Sequence, residues 1–261
     1  GERMRHDCRI EVADGVVQLV ESGVGPRAGD DVLPRGIVSP GFVDLQINGY
    51  AGVDFARGDA ADFARVLTAL AATGTTSCLP TIITSPVDEI VEQLDRVSAA
   101  MGGPGARVLG CHVEGPFISP SRRGAHRADL MCPPSPADVA RIAGHPATAV
   151  MTLAPEVPGG LDAIEQIVSA SVVASIGHTD AIADTVHEAA DRGARLVTHL
   201  FNAQRPIGHR EPGVPGAALV DDRLRLGLIA DLHHVAPDMV RLTFAAAGDR
   251  VVLVTDALAS T

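Results

Sequence analysis

The feature that most restricts the fold is a rhythm. From Gly36 onward, apolar runs rich in β-branched residues alternate with Ala-rich stretches of helical period, the pattern of repeated strand and helix units around a parallel sheet. Eight strand candidates lie at residues 37–47, 75–83, 107–113, 148–153, 172–176, 195–199, 224–229 and 250–255. Helical stretches separate most of them, at residues 60–73, 87–101, 136–143, 161–170, 182–192 and 237–247. Eight such units predict a (β/α)₈ barrel of the α/β class.

The first 36 residues read differently. Segments 9–12 and 16–20 suggest short strands, and the Gly-, Pro- and Asp-rich segment 23–35 suggests turns. Residues 1–36 are therefore expected to belong to a small β domain, and residues 37–261 to the barrel.

Composition narrows the function. The chain carries a formal net charge of −11, and all 21 of its cationic side chains are Arg. Without Lys there is no Schiff base, no Walker-A phosphate loop and no lysine-bridged binuclear metal site in this segment. The acidic balance argues against a nucleic-acid partner. No apolar run reaches the roughly 18 residues of a membrane span, so no membrane partner is expected. No secretory signal opens the sequence, which points to the cytoplasm. Cys8, Cys78, Cys111 and Cys132 are widely spaced with no Cys-x-x-Cys pair, as expected of reduced thiols.

Polar residues collect just beyond the strand candidates. They include Asp44-Leu-Gln46-Ile-Asn48-Gly49, His112-Val-Glu114, Gly177-His178-Thr179, His199-Leu-Phe-Asn202, Asp231-Leu-His233-His234 and Asp256. In a parallel barrel all strand C-termini open on one face, so Glu114, His178, His199, His234 and Asp256 converge there. Two imidazoles and a carboxylate, Glu114 with His178 and His199, suit a divalent metal with an open position, Zn²⁺ or Fe²⁺. A nearby carboxylate, Asp256, can take and return a proton. Each residue alone has a plainer reading. A single strand-end His is more often structural, Asp256 can cap a helix, and Glu114 can pair with Arg122 or Arg123. The joint placement favours the metal. His6, His145 and His187 are read as surface residues, and Cys132 as an exposed thiol in a Pro-rich loop.

The motifs Pro40-Gly-Phe-Val-Asp44-Leu-Gln46-Ile-Asn48-Gly49, His112-Val-Glu114-Gly-Pro-Phe, Arg123-Gly-Ala-His126, Gly177-His178-Thr-Asp-Ala, Thr198-His199-Leu-Phe-Asn202-Ala203, Arg210-Glu-Pro-Gly213 and Leu253-Val-Thr-Asp256-Ala together resemble the N-acetylglucosamine-6-phosphate deacetylases. These are a branch of the amidohydrolase superfamily. The resemblance runs in order from about Pro40 to the last residues. It implies a barrel with a small β-sandwich domain, and hydrolysis of the acetamide of a phosphorylated amino sugar. It implies that Glu114, His178 and His199 hold the metal, that Asp256 is general base and then acid, and that His234 polarises the carbonyl. Gln46, Asn48, His126, Asn202, Ala203 and Arg210 are the implied substrate contacts, the last three toward the phosphate. Gln46 and Asn48 stand where many amidohydrolases carry a His-x-His pair, so one metal ion is expected and not two. In this family the phosphate-binding Arg can come from a neighbouring subunit, which implies a homodimer.

Two departures concern residues. His233 adds an imidazole beside His234, and Gln204 stands where Met is common. The third is length: the family continues for roughly another hundred residues past the eighth strand, so the barrel is expected to be incomplete at the C-terminus. Three readings stay open: a deacetylase for the gluco epimer, one for the galacto epimer, or a non-catalytic truncated barrel segment.

Overall fold

The computed structural model describes residues 4–33 and 35–261. The chain divides into two compact units, Gly1–Pro40 and Gly41–Thr261.

In the first unit, strands Cys8–Ala13 and Val16–Ser22 form an antiparallel hairpin with an irregularity between Glu11 and Val12. Asp14 and Gly15 join them at φ +52° and +74°, as a two-residue turn of the type I′ class demands. Arg9 ties the hairpin to the following turn: its Nε donates to Asp30 at 3.1 Å, while Asp30 also accepts from the Arg27 amide at 2.8 Å.

In the second unit, eight parallel strands follow one another in sheet order. They are Phe42–Ile47, Thr75–Ile83, Cys111–Glu114, Thr148–Leu153, Val173–Ile176, Leu196–Val197, Arg225–Leu228 and Val251–Leu253. Among the described residues no ladder joins the first strand to the eighth. Backbone bonds close that seam at the strand ends instead, from Asp256 N to Gln46 O at 2.9 Å and from Asn48 N and Gly49 N to Ala257 O at 2.9 and 3.0 Å. The result is a nearly closed eight-stranded parallel barrel of the (β/α)₈ type, with seven α-helices among the described residues.

The helices clothe it for local reasons. Helix Ala60–Ala72 starts from a reciprocal capping box of Asp59 and Asp62. Helix Val87–Ala100 buries Ile90, Leu94 and Val97, three and four residues apart on one face, and carries Asp88 and Glu89 in its first turn, where the helix dipole favours acids. Phe55, Phe63, Phe117, Ile82 and Leu153 are fully buried in the same core, each worth about 1.5–3 kcal/mol of burial.

Four sequence expectations need correction. The first barrel strand starts at Phe42 and not at residue 37, past Pro40, which offers a ladder no N–H. The stretch 107–113 is two strands, Arg107–Val108 and Cys111–Glu114. Gly110 breaks it at φ +144°, where a Cβ would stand 2.7 Å from the Ala149 Cβ. The sixth strand is only Leu196–Val197, because His199 leaves the extended conformation at φ +26°. Helix Gly213–Val220 was not anticipated, since Gly213, Pro215 and Gly216 read as loop.

Candidate metal centre

Glu114 is the last residue of the third strand, and His178, His199 and Asp256 each follow a strand by two or three residues. The last three adopt left-handed backbone, at φ +47°, +26° and +51°. For side-chain-bearing residues that costs about 1–3 kcal/mol each and persists only where the surroundings impose it. The reversal ends each strand at the barrel mouth and gathers the side chains there.

The gathering is tight. Glu114 Oε1 lies 3.1 Å from His178 Nε2 and 3.0 Å from His199 Nε2, and the two Nε2 atoms are 3.1 Å apart. All three side chains are buried. His178 Nδ1 stands 3.0 Å from the Arg122 carbonyl. A carbonyl only accepts, so Nδ1 carries the hydrogen, which leaves Nε2 available as a ligand atom. His199 Nδ1 is buried with no hydrogen-bond partner among the described residues, so nothing in its surroundings fixes which nitrogen of that ring carries the hydrogen. Tetrahedral ligands about 2.0–2.1 Å from zinc stand roughly 3.3 Å from one another, close to the triangle seen here. Burial opposes charge on Glu114, yet the adjoining His178 and His199 imidazoles hold its carboxyl well below the usual range. The donor set fits a divalent ion.

Asp256 flanks the triangle. Its Oδ1 accepts from Asn48 Nδ2 at 2.7 Å and from Gln46 Nε2 at 3.1 Å, and Gln46 Nε2 also reaches Glu114 Oε1 at 3.1 Å. The two amides expected on the substrate thus make their hydrogen bonds to the carboxylates. Asn48 Oδ1 remains buried with no partner among the described residues. Burial, reinforced by the Glu114 charge, raises the Asp256 carboxyl above its ordinary value.

The other expected site residues are distributed unevenly. His126 is buried, with Nδ1 2.7 Å from Thr84 Oγ1, Nε2 3.9 Å from Glu114, and its ring edge-on to His178 at 4.3 Å. Burial pushes its pKa down to about 4, so it is neutral at pH 7. Asn202 and Ala203 lie half-buried in the turn after His199, and the Ala203 carbonyl accepts from Thr179 N. Arg210 is exposed and makes no hydrogen bond or ion pair among the described residues. His234 is also exposed, bonded through Nδ1 to Asp231 at 2.7 Å, and shares no hydrogen bond with the metal-ligand set.

Two networks escaped the sequence reading. Asp180 accepts from Arg122 at 2.8 Å and Arg205 at 2.5 Å, so Arg122 serves the support of His178 and does not pair with Glu114. Inside the barrel, His112 bonds the Leu45 carbonyl at 3.1 Å and Thr152 Oγ1 at 2.6 Å, and the chain continues through Thr198 to Ser175 in steps of 2.6 Å. Burial lowers the His112 pKa, leaving a neutral ring that accepts from Thr152. The only signal in the sequence is the presence of Thr and Ser within otherwise apolar strands.

Barrel, strand-end ligands and flanking carboxylate define a class of metal hydrolase. The family model described as "Amidohydrolase family" matches residues 37–260, and the chain belongs to that family. The chain is 36% identical over 260 residues to the N-acetylgalactosamine-6-phosphate deacetylase of Escherichia coli O157:H7, covering 97% of this chain and 67% of that protein. It is 40% identical over 236 residues to the N-acetylglucosamine-6-phosphate deacetylase of Bos taurus, covering 85% of this chain and 58% of the relative. The N-acetyl-D-glucosamine-6-phosphate deacetylase of Mycobacterium smegmatis superposes with a TM-score of 0.90 at 36% identity, over 97% of this chain and 67% of that one. A mutant of that enzyme in complex with N-acetyl-D-glucosamine-6-phosphate gives 0.89 at 37%, over 97% and 66%. The chain therefore spans 58 to 67% of the length of these relatives.

Proposed function

We propose that this chain is the barrel portion of a deacetylase that hydrolyses the acetamide of N-acetyl-D-glucosamine 6-phosphate to D-glucosamine 6-phosphate and acetate. The observation that carries the reading is the buried triangle of Glu114, His178 and His199 with Asp256 beside it. Its ligands are assigned to one divalent ion, Zn²⁺ or Fe²⁺. The ion, when bound, supplies Lewis acidity toward the acetamide carbonyl and toward a water.

The chain's own groups supply the rest. Gln46 and Asn48 anchor Asp256 Oδ1, so Oδ2 is left for the attacking water. Asp256, with its pKa raised, removes that water's proton and returns it to the departing amine. We assign carbonyl polarisation to His234, in the loop after the seventh strand, and sugar contact to His126. Asn202, Ala203 and Arg210 are assigned to the phosphate. The free, exposed guanidinium of Arg210 suits an anion presented across a homodimer. Residues 1–36 are assigned to a small β domain. No helix among the described residues is long and apolar enough to cross a membrane; a cytoplasmic location is assigned as part of the same proposal.

One relative, 36% identical to this chain, is named for the galacto epimer, so that sugar phosphate is kept as a second reading. The test is acetate release by the intact protein from both phosphorylated epimers and from unphosphorylated N-acetylglucosamine. Release from a phosphorylated epimer, lost with a chelator and restored by Zn²⁺, is expected. No release from either by metal-loaded protein would favour a non-catalytic barrel.

A further inference from the structure

One side chain reaches a near chain neighbour of all three proposed ligands. Thr152 lies buried in the fourth strand, and its hydroxyl is bonded on two sides. Nδ1 of the neutral His112 ring donates to the Leu45 carbonyl at 3.1 Å, so its Nε2 accepts the Thr152 hydroxyl at 2.6 Å. Thr152 has only that one hydroxyl hydrogen, so it accepts from Thr198 Oγ1 at 2.6 Å, and Thr198 accepts in turn from Ser175 Oγ at 2.6 Å.

Each contact leads to a ligand. His112 stands two residues before Glu114, on the same face of the third strand. Thr198 immediately precedes His199. Gly177 immediately precedes His178, and a Cβ on it would stand 2.7 Å from Thr152 Cγ2 and 2.8 Å from the Thr198 Cβ. Two residues back on the same strands, Val150 and Leu196 pack with Leu79 in an apolar cluster separate from the main core. The hydroxyls therefore lie between that cluster and the strand ends that carry the ligands.

The sixth strand gives this bridge its importance. Leu196–Val197 makes a ladder of only two residues with each neighbour, and no ladder among the described residues joins it to the third strand. The Thr152 hydroxyl spans that gap.

We propose that Thr152 is a positioning residue for the metal centre, its hydroxyl holding Glu114 and His199 at ligand separation before an ion arrives. The inference rests on Glu114, His178 and His199 being metal ligands. Thr152→Val keeps the branched shape that suits a strand but leaves His112 Nε2 without a donor and the Thr198 hydroxyl without its acceptor, both of them buried. The ligands then spread in the metal-free protein, and binding must draw them together again.

The test uses the intact protein, stripped of metal, with Thr152→Val and Thr152→Ser. Zn²⁺ affinity is measured by competition with a chromophoric chelator, coordination by the visible spectrum of bound Co²⁺, and metal-free stability by thermal melting. Thr152→Val is expected to weaken Zn²⁺ binding about tenfold, the lower end of the loss when groups supporting a ligand are removed, because it acts through a neighbouring residue. The Co²⁺ spectrum should change with it. Thr152→Ser keeps the hydroxyl and should bind close to the unsubstituted protein. Unchanged affinity and spectrum in Thr152→Val would overturn the proposal. So would equal losses in both variants, or a lower melting temperature with unchanged metal binding. If Thr152→Val does not fold, Thr198→Val, which cuts the same bond from its other side, decides by the same criteria. Failure of the unsubstituted protein to bind Zn²⁺ or Co²⁺ would instead overturn the ligand assignment itself, and the proposal with it.

Discussion

Asp44 and Thr255 face each other across the one gap in the barrel ladder. The buried Asp44 carboxylate accepts from the Thr255 amide at 3.2 Å and from its hydroxyl at 2.6 Å, and also from the Gln46 amide at 3.2 Å. Thr255 precedes Asp256, and Gln46 bridges Asp256 to Glu114. The carboxylate that closes the barrel thus sets the spacing of the two carboxylates at its mouth.

Asp44→Ala leaves the buried Gln46 amide and the amide and hydroxyl of the exposed Thr255 without their acceptor. Equilibrium denaturation is expected to show a loss of roughly 1–2 kcal/mol, with a fall in turnover because Asp256 loses its support. Asp44→Asn, which keeps one acceptor oxygen, should recover part of both. Unaltered stability in Asp44→Ala would show that the backbone bonds alone hold the seam.

Asp256→Asn keeps the shape of the site and removes its base. Turnover is expected to fall about 10²–10⁴-fold, while metal content measured on the purified variant stays near one ion per chain. Equal losses of metal and activity would recast Asp256 as a ligand.

Arg250 is a buried cap. Its Nη1 donates to the carbonyls of Ala218, Asp221 and Leu224 at 2.9–3.0 Å, and its Nη2 to that of Leu219 at 2.5 Å. These carbonyls lie at and beyond the end of helix Gly213–Val220, where the last turn leaves carbonyls without helical partners. Arg250→Met should cost on the order of 3 kcal/mol by denaturant titration. Arg250→Lys is expected to restore little, because one ammonium cannot span four acceptors.

Asp221 gives stability a pH dependence. Its carboxyl is held well below the usual range, first by Arg223 and then by His187, against the cost of burial. A depressed folded-state pKa means that the unfolded chain takes up the proton first as pH falls. The contribution is complete at pH 7 and is lost below about pH 4, the ordinary Asp value. Wild type should exceed Asp221→Asn in stability at pH 7, with the difference narrowing by pH 3.5. A constant difference would remove the ion pairs as its source.

Much of this was legible in the residues. Strands Thr75–Ile83 and Thr148–Leu153 and helices Pro136–Ala143 and Pro237–Ala247 coincide with the periodic runs, because hydrophobic period dominates where no special backbone intervenes. The errors cluster where backbone conformation decides: Gly110 within a strand candidate, His199 past the sixth strand, and the Gly and Pro residues of helix Gly213–Val220. Convergence of Glu114, His178, His199 and Asp256 followed from the parallel topology alone. That Gln46 and Asn48 bond the carboxylates, and that Asp180 steadies Arg122, depends on side-chain directions that no spacing rule encodes. His187 and His145, read as surface groups, pair with Asp221 and Asp95, for the same reason.

The bonds across the seam join residues separated by 208 to 211 positions, and this bears on how the protein comes into being. The cost of closing so long a loop must be met before the contact returns anything. On a ribosome the first strand waits with an open edge while seven more are made, and Asp256 emerges after Glu114, His178 and His199. Until it does, a partly built barrel can collect the three proposed metal ligands but lacks the proposed base, so the order of synthesis would put metal capture ahead of turnover.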